Sequence, residues 1–409
     1  MCYITSMSEK TLFAMALGLY EPWSIENIEF NAAERRLDIF LDFKRGATFS
    51  CPKCGKKGCK AHDTKEAVWR HLNFFQHTTY LHARQPRTNC GDCGILTAEM
   101  PWARPGSGFT YLFESFVMIL VREMSVLSMS KLLNEHDTRI WRILRHYVEK
   151  ARREQDLYGV TKIGVDETSM KKGHDYVTIG VDMETSKVIF ATKGKGADTL
   201  ERFNQYLHDH GGDADFVTEV SSDMSPAFIQ GARDYFVNAC ITFDKFHVMK
   251  IINEAVDQVR REEQKSNPAL KNSRFIWLKN AENLTEKQKI QFDSLSRQNL
   301  KTARAYHIKI NFQEFWNQSA QNAEAYLKRW CFWAAHSRLE PMIKAANTIK
   351  KHSKGILRWF ESGLTNGILE GINSMIQLAK KRARGFSNDY NYITMIFLTA
   401  GKLDYKLPI

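Results

Sequence analysis

The fold of this chain is decided by a short stretch near its middle, Ile163-Gly-Val-Asp-Glu167. It closes an apolar segment of strand length, and similar segments return several times before residue 243. Along the chain the pattern favours three strands, a helix, a strand, a helix and a strand. The predicted ranges are 160–165, 176–181, 187–192, 199–210, 216–221, 226–236 and 239–243. This order predicts a mixed sheet flanked by helices.

Acidic residues follow the strands of this region. Asp166 comes at the end of the first strand, and Asp223 follows the fourth, in Val220-Ser-Ser-Asp-Met224. Carboxylates at the ends of neighbouring strands converge on one point, where they are costly unless they bind cations. A third acid would complete a two-metal site for phosphoryl transfer, and our candidate is Glu370 in Thr365-Asn-Gly-Ile-Leu-Glu-Gly-Ile-Asn373. The competing choices are Glu167, Asp182 and Asp244.

Two cysteine pairs lie ahead of this region, in Cys51-Pro-Lys-Cys54-Gly and Cys90-Gly-Asp-Cys93-Gly. Tetrahedral zinc needs four ligands, and each pair supplies two thiolates from a tight turn that the following glycine favours. We therefore expect a structural zinc ion on these four cysteines. A redox dithiol or incidental buried thiols remain as alternatives, and Cys59 with His62 could replace one ligand.

Residues 24–98 predict a small β-rich unit around these cysteines. Apolar and polar residues alternate from 36 to 43, as in a half-buried strand, and a second extended stretch runs from 68 to 83. Basic residues near the cysteines suit contacts with phosphate groups, although a solvated surface explains them as well. These residues are Lys53, Lys56, Lys57, Arg84 and Arg87.

A helix-turn-helix is predicted in the helical region that follows. Segments 128–133, 134–137 and 138–147 have the lengths of a short helix, a tight turn and a second helix. The second helix has one apolar face, formed by Ile140, Ile143, Leu144, Tyr147 and Val148. Arg139, Arg142 and His146 lie together on another face, as a helix that reads the major groove of DNA requires. An ordinary amphipathic basic helix has the same pattern.

Positive charge is concentrated in two parts of the chain. The 409 residues include 58 lysines and arginines against 46 aspartates and glutamates, a net charge of +12. Segments 44–87 and 344–384 carry the excess, and such local patches favour a nucleic acid as partner. At the end of the Glu370 helix the basic residues also complement the helix dipole. They are Lys380, Lys381, Arg382 and Arg384.

Other classes of protein are disfavoured. Eight cysteines are too few for a disulfide scaffold in a chain of this length, and residues 1–10 lack the features of a secretory signal. The longest apolar stretches, 111–121 and 392–400, are about half the roughly 20 residues that a membrane span needs. We therefore expect a cytoplasmic protein without a membrane span.

Taken together, these motifs resemble one family over residues 25–400. The chain looks like a transposase of the bacterial insertion-sequence family ISL-three, whose members join a zinc domain, a helix-turn-helix and a ribonuclease H-like domain with an Asp, Asp, Glu triad. The likeness rests on the cysteine pairs, Gly-Val-Asp166-Glu, Ser-Ser-Asp223-Met, Asn366-Gly-Ile-Leu-Glu370-Gly-Ile-Asn373 and Arg384-Gly-Phe386. Phe243-Asp244-Lys-Phe-His247 matches the Asp-x-x-His element of such transposases. Ala383 breaks the basic run and is a small departure.

The resemblance implies a multidomain α+β protein. We expect a β-rich zinc-binding domain at 1–100 and a helix-turn-helix domain at 101–157. A ribonuclease H-like mixed α/β catalytic core follows at 158–249 and 355–409, and an α-helical insertion at 250–354 interrupts it. The second part of the core carries the Glu370 helix.

The resemblance also implies an enzyme. A DNA transposase would use Mg²⁺ (or Mn²⁺) held by Asp166, Asp223 and Glu370 to hydrolyse a phosphodiester and direct the freed 3′-hydroxyl at target DNA. His247, paired with Asp244, would position groups or handle protons near the scissile phosphate, although a buried core histidine is an equal alternative. The expected partners are double-stranded DNA, as terminal inverted repeats and target, and a second copy of the chain. Bound to DNA, the protein would associate with the nucleoid.

Two rival functions remain at this point. A zinc and helix-turn-helix regulator derived from a transposase explains the basic N-terminal half but not the three acids together. A ribonuclease H-like nuclease that cuts without strand transfer has the same acids, and only the family likeness separates it from a transposase.

Overall fold

A computed structural model describes residues 8–171, 175–364 and 367–407. The chain divides into two compact units. The first unit comprises the described residues up to Tyr147 together with the segment from Asp404, and the second unit is Val148–Leu403. No helix within the described ranges is long and apolar enough to span a membrane.

The first unit begins with a helix and six strands that form one sheet. They are α1 (Glu9–Ala16), β1 (Trp23–Asn31), β2 (Arg36–Phe43), β3 (Thr48–Phe49), β4 (Cys59–Phe74), β5 (His77–Cys90) and β6 (Gly94–Thr97). The strand order is β1-β2-β5-β4-β3, and β6 pairs with β5. Leu37, Ile39 and Leu41 of β2 point into the core, which confirms the predicted alternation.

A long hairpin replaces the single extended stretch that we predicted over 68–83. β4 and β5 are antiparallel partners along most of their length, and the turn between them passes through Phe75. Phe75 has a φ of 52°, in the left-handed region that glycine or asparagine adopts more readily. The prediction was wrong because no glycine or proline marks this turn in the sequence.

Three helices complete the first unit: α2 (Tyr111–Leu120), α3 (Val126–Leu133) and α4 (Asp137–Arg153), within which the boundary between the units falls. Thr110 and Ser125 cap α2 and α3 with their hydroxyl groups, which accept bonds from free backbone N–H groups of the first turn. Asn134, in the left-handed conformation, ends α3 and starts the turn into α4. The predicted apolar face of α4 is buried, so this is the expected helix, turn and helix.

The second unit is built on the predicted mixed sheet. Its strands are β7 (Lys162–Lys171), β8 (Asp175–Asp182), β9 (Lys187–Lys193), β10 (Glu219–Ser222) and β11 (Cys240–Phe243), and the helices between them are α5 (Asp198–Asp209) and α6 (Pro226–Tyr235). The strand order is β11-β10-β7-β8-β9. β7, β10 and β11 are parallel, whereas β7, β8 and β9 form antiparallel pairs.

Helices make up the rest of the second unit. They are α7 (Lys245–Glu263), α8 (Arg274–Leu278), α9 (Glu286–Ser296), α10 (Lys301–Gln313), α11 (Ala320–Ala335), α12 (Glu340–Lys351), α13 (Ser353–Leu357), α14 (Trp359–Ser362), α15 (Gly367–Arg382) and α16 (Asp389–Ala400). Those from α7 to α13 share an aromatic core of their own, which includes Trp277, Phe312 and Trp330. Arg358 donates to the buried Glu219 of β10 (3.1 Å, Nε to Oε1), so an ion pair ties this core to the sheet.

Candidate functional site

The four cysteines of the two pairs meet in the first unit. Each pair lies in a turn beside a strand, the first before β4 and the second between β5 and β6, and β4 and β5 are neighbours. All four Sγ atoms lie within 4.8 Å of one another, and the Sγ atoms of Cys54 and Cys90 are 3.7 Å apart. A tetrahedral zinc ion with bonds of about 2.3 Å separates its sulfurs by about 3.8 Å. The spacing therefore fits zinc.

The backbone around the cluster favours the thiolate forms of Cys51 and Cys90, whereas the hydrogen bond with Cys54 raises the pKa of Cys93. N–H groups of Cys54 and Lys53 point at the sulfur of Cys51 and lower its pKa to about 7. Thiolates are the form that binds metal. Cys59 is buried beside the cluster but donates to the carbonyl of Lys56 (3.4 Å). The grouped ligands are thus the two predicted pairs, without Cys59 or His62.

Three aspartates lie level with one another in the second unit. Asp223 and Asp244 directly follow β10 and β11, whereas Asp166 lies within β7, which continues to Lys171 and does not end before Asp166 as predicted. β10 is parallel to β7 on one side and to β11 on the other. Continued past the last paired residues, this register places Asp223 between Asp166 and Asp244. Neighbouring strands are about 4.8 Å apart, so the three carboxyl groups share one small region. The structure thus brings together Asp166 and Asp223, the two aspartates predicted to share a site, and adds Asp244 beside them.

The Asp166 carboxylate is largely buried and held by two donors. The backbone N–H of Glu167 donates to its Oδ1 (2.7 Å), and Nδ2 of Asn373 donates to its Oδ2 (2.6 Å). Burial raises the pKa of Asp166 to about 6, and the charges of Asp223 and Asp244 add to this rise. Such a carboxylate favours a bound cation as partner, because a cation would relieve both burial and repulsion.

Asp244 and His247 form a pair at the start of α7. Asp244 is buried and caps the helix by accepting the N–H of Phe246 (2.9 Å). Its Oδ2 also pairs with Nδ1 of His247 (3.0 Å). Burial alone would lower the pKa of His247, but the hydrogen bond and charge of Asp244 outweigh it, and the pKa is raised. The imidazole can therefore carry a proton beside the three aspartates.

Glu370 lies on α15, whose inner face is bonded to β7. Asn373 binds Asp166, Gln377 donates to the hydroxyl of Thr168 (2.8 Å), and Lys380 donates to the carbonyl of Ser169 (2.5 Å). The positions 373, 377 and 380 share one face, and Glu370 extends it by one turn in the N-terminal direction. Its side chain is exposed. Thr365 and Asn366, the start of this motif, lie outside the described residues.

Gly164 of β7 and Leu369 of α15 approach each other closely. A Cβ atom added to Gly164 would lie 2.9 Å from Leu369 and 2.5 Å from the sulfur of Met183. Glycine at this position therefore lets the buried Leu369, next to Glu370, rest against β7.

The acids are gathered but not closed into a ligand set. Among the described residues the four thiols are the one group of three or more potential ligands within 4.8 Å of one another. Glu167, a competing third acid, is partly buried near Asp223, and burial raises its pKa. Asp182 instead accepts the N–H of Glu184 (3.0 Å) in the turn after β8, which is a structural task.

Several of the basic residues predicted to contact phosphate are engaged in ion pairs. Arg84 pairs with Asp42 (2.7 Å), Arg87 with Asp63, and Lys56 with Asp92 (2.9 Å). Exposed pairs of this kind are weak, so a phosphate could displace them. Of the others, Lys380 is half-buried on the carbonyl of Ser169, and five are exposed: Lys53, Lys57, Lys381, Arg382 and Arg384.

The two arginines of the predicted recognition helix have different environments. Arg142 is exposed in the middle of α4. Arg139 pairs with the buried Glu135 and stacks over Phe109, 4.3 Å from the ring centre. His146 is half-buried and packs against Tyr147. Of the three side chains predicted to contact DNA from this helix, Arg142 is therefore the most exposed.

Two features escaped the prediction from sequence. Arg70 of β4 is buried, and its Nε lies 3.7 Å from Glu135, which links the sheet to the turn before α4. Asn373 is a direct neighbour of Asp166. A signal for Asn373 was present, since it lies one helical turn after Glu370 in the motif already singled out.

A cysteine cluster of zinc geometry, a helix-turn-helix and neighbouring acids on a mixed sheet together define a DNA-binding, DNA-processing class of protein. Known proteins identify the family. A family model described as "Transposase" matches residues 163–396, which is more than half of the chain. The models "Helix-turn-helix domain of transposase family ISL3" and "zinc-finger of transposase IS204/IS1001/IS1096/IS1165" match residues 98–148 and 47–93. The chain belongs to the ISL3 family of transposases.

Full-length relatives agree with this assignment. Transposases for insertion sequence element IS1557 from two strains of Mycobacterium tuberculosis are 27% identical, over 98% of this chain and 98% of theirs. The transposase for insertion sequence element IS1001 of Bordetella parapertussis is 25% identical, over 93% of this chain and 96% of its own. The resemblance drawn from the motifs and the multidomain α+β fold are thus confirmed, and the cysteine cluster is a structural zinc site of the matched zinc-finger type.

Proposed function

We propose that this transposase cuts the phosphodiester backbone at the ends of its own insertion sequence and joins the freed 3′-hydroxyl to target DNA, with Mg²⁺ or Mn²⁺ as cofactor. The main support for the proposal is that Asp166 and Asp223 lie opposite each other in the register of the adjacent parallel strands β7 and β10. Carboxylate oxygens are the ligands that Mg²⁺ prefers, and the raised pKa of Asp166 shows an acid that gains from a cation. The donor set therefore fits the metal.

The residues of the second unit divide the work. Asp166 and Asp223 would hold the metal from the sheet, and Glu370 would complete the ligand set from α15. When bound, paired metal ions would activate the attacking oxygen and stabilise the leaving oxygen of an in-line displacement. His247, whose pKa is raised by its hydrogen bond to Asp244, is placed to hold a proton near the scissile phosphate.

Reading of the DNA sequence belongs to the first unit in this proposal. Arg142 reads base edges of the terminal inverted repeat from α4, and Arg139 and His146 flank it. The basic residues near the cysteines and at the end of α15 contact phosphates. Because two element ends must be joined in one reaction, we propose that two copies of the chain act together.

The five-part division of the chain is part of the proposal. It assigns 1–100 to zinc and DNA binding, 101–157 to the helix-turn-helix, 158–249 and 355–409 to the catalytic core, and 250–354 to the helical insertion. Each part then has one task, and the Glu370 helix returns to the sheet after the insertion.

The test separates chemistry from binding. Full-length Asp166→Ala and Asp223→Ala proteins are incubated with labelled element-end DNA and Mg²⁺, and nicking and joining to a target plasmid are measured. We expect each to lose at least about a thousandfold in rate, roughly 4 kcal/mol in barrier. End-DNA affinity without divalent metal should stay equal or rise, because a negative charge near the phosphates is removed.

Glu324→Ala, at an exposed acid on α11, is the matched control and should keep the parental rate. Near-parental nicking by Asp166→Ala would refute the acid site. The rival functions have their own outcomes. A parental protein that binds element ends but cuts nothing would be a regulator, and one that nicks without joining would be a nuclease.

A further inference from the structure

We propose that Asn373 is a positioning residue of the acid site: its amide fixes the Asp166 carboxylate and thereby sets the Glu370 helix against β7. The inference rests on the proposed metal chemistry of Asp166 and Glu370. It concerns an amide that is neither one of the acids nor a basic contact to DNA.

The geometry of the contact supports this role. Nδ2 of Asn373 lies 2.6 Å from Oδ2 of Asp166, and the backbone N–H of Glu167 holds the other oxygen. Hydrogen bonds to an ionised carboxylate are short and strong. With one donor on each oxygen, the carboxylate plane cannot rotate freely. The lone pairs that remain for a metal then keep a fixed direction.

The other end of the amide argues against a purely structural role. Oδ1 of Asn373 is buried and has no hydrogen-bond partner in the described part of the chain. A buried polar atom without a partner costs folding free energy, and an apolar side chain of similar size avoids that cost. Stability alone would therefore favour leucine at this position. The hydrogen bond to Asp166 explains why an amide, and not an apolar side chain, occupies this position.

The neighbouring contacts on α15 provide a matched comparison. Gln377 attaches the same helix to the same strand one turn later, through the hydroxyl of Thr168. It is half-buried, as Asn373 is, but its partner is not an acid. If helix docking alone mattered, substitutions at 373 and 377 would have similar effects. If Asn373 positions Asp166, only the substitution at 373 will lower the affinity of the acid site for metal.

The experiment compares Asn373→Leu with Gln377→Leu in the full-length protein, with zinc retained. Mn²⁺ affinity of the acid site is measured by calorimetry, and the melting temperature (Tm) is recorded for the same samples. We expect Asn373→Leu to weaken Mn²⁺ binding by about 10- to 100-fold, the usual effect of removing a residue that orients a metal ligand. Its Tm should stay equal or rise. Gln377→Leu should keep Mn²⁺ affinity within about twofold of the parent.

Equal Mn²⁺ affinities for the two variants would overturn the proposal. If Asn373→Leu lowers Tm as well as affinity, Asn373→Ala decides: weaker Mn²⁺ binding at parental Tm supports positioning, and unchanged binding refutes it. Asp166→Ala, measured in parallel, distinguishes metal binding by the acid site from the positioning role of Asn373. Unchanged Mn²⁺ binding in Asp166→Ala would refute the proposed function itself. If Asp166→Ala loses Mn²⁺ binding while Asn373→Leu binds Mn²⁺ normally, only the role of Asn373 is refuted.

Discussion

The thiol cluster of the first unit and the acids of the second unit are assembled by different means. The thiols come from two local turns, and each turn fixes its pair within four residues of sequence. The acids are spread from Asp166 to Glu370: sheet register sets Asp166 beside Asp223, and Glu370 lies on α15 one turn before Asn373, which contacts Asp166. The four thiols, which come from short local turns, therefore have their sulfur atoms within 4.8 Å of one another. The acids, which come from distant parts of the chain, form no such group among the described residues.

The difference matches the two tasks. A structural zinc site is closed and contributes to folding, whereas a catalytic site keeps positions free for substrate. Glu370 is exposed while Asp166 is largely buried, so the acid set has one rigid side and one accessible side.

The largest effect is expected at the closed site. Cys90→Ser should release zinc and unfold the first unit, because apparent zinc-binding energies of about 10–16 kcal/mol act as folding energy. Elemental analysis and far-ultraviolet circular dichroism would measure the two losses. Cys59→Ser, at the buried thiol beside the cluster, is the control and should retain one zinc per chain. Loss of zinc from Cys59→Ser as well would return Cys59 to the ligand set.

At the open site, Glu370→Ala should abolish nicking, by at least about a thousandfold or roughly 4 kcal/mol, without unfolding the protein. An exposed side chain contributes little to stability, so Tm should stay near the parental value. Rates on labelled element ends and a thermal melt give the two readings. If Glu370→Ala keeps nearly parental activity, the third metal ligand must be reassigned to Asp244 or Glu167.

Acid should weaken the first unit. Burial, with the charge of Arg70, lowers the pKa of His71 from 6.5 to about 4. Its stabilising effect is therefore complete above pH 6.5 and lost as pH falls through 4, by up to about 3 kcal/mol. Hydrogen exchange of β4 amides across this range measures the loss, which His71→Gln should reduce. A parental pH slope in His71→Gln would show that other groups are responsible.

In metal-free protein the second unit should respond to pH in the opposite sense. The pKa of Asp166 is raised from 3.8 to about 6 by burial, so its contribution is complete below pH 3.8 and lost as pH rises through 6. The loss is again up to about 3 kcal/mol. Asp166→Asn should flatten this slope in hydrogen exchange of β7. A slope that survives in the variant would contradict the assignment to Asp166.

The smallest effect separates the two arginines of α4. Arg142→Ala should weaken binding to element ends by about 1–3 kcal/mol with no change in Tm, because the side chain is exposed. Arg139→Ala should lower Tm as well, since Glu135 stays buried with one cation fewer. Fluorescence anisotropy on specific and random duplexes tests this. An equal loss on both duplexes for Arg142→Ala would limit it to backbone contacts.

Sequence reasoning succeeded where the deciding contacts are local or periodic. The cysteine spacing identified the grouped thiols, and the order of strands placed Asp166 and Asp223 on one sheet. The apolar face of α4 followed from its helical spacing. These features depend on neighbours within a few residues or on a regular repeat, which the sequence states directly.

Contacts between distant residues could not be predicted in the same way. Arg87 meets Asp63 and Arg84 meets Asp42 across neighbouring strands, so part of the positive charge is paired with acids of the protein itself. The bond from Asn373 to Asp166 spans 207 residues and depends on how α15 docks on β7. No local pattern determines such partners, because they are chosen by tertiary packing.

The close fit of Leu369 on Gly164 has a consequence for reading other copies of such genes. A copy can keep every acid and still lose function if Gly164 becomes valine, since the added methyl groups would overlap the side chains of Leu369 and Met183 that pack there. Genetic decay of an element could thus begin at a residue with no chemistry of its own. An intact set of acids is therefore insufficient to tell a working element from a relic, and the glycine two positions before Asp166 belongs in the comparison.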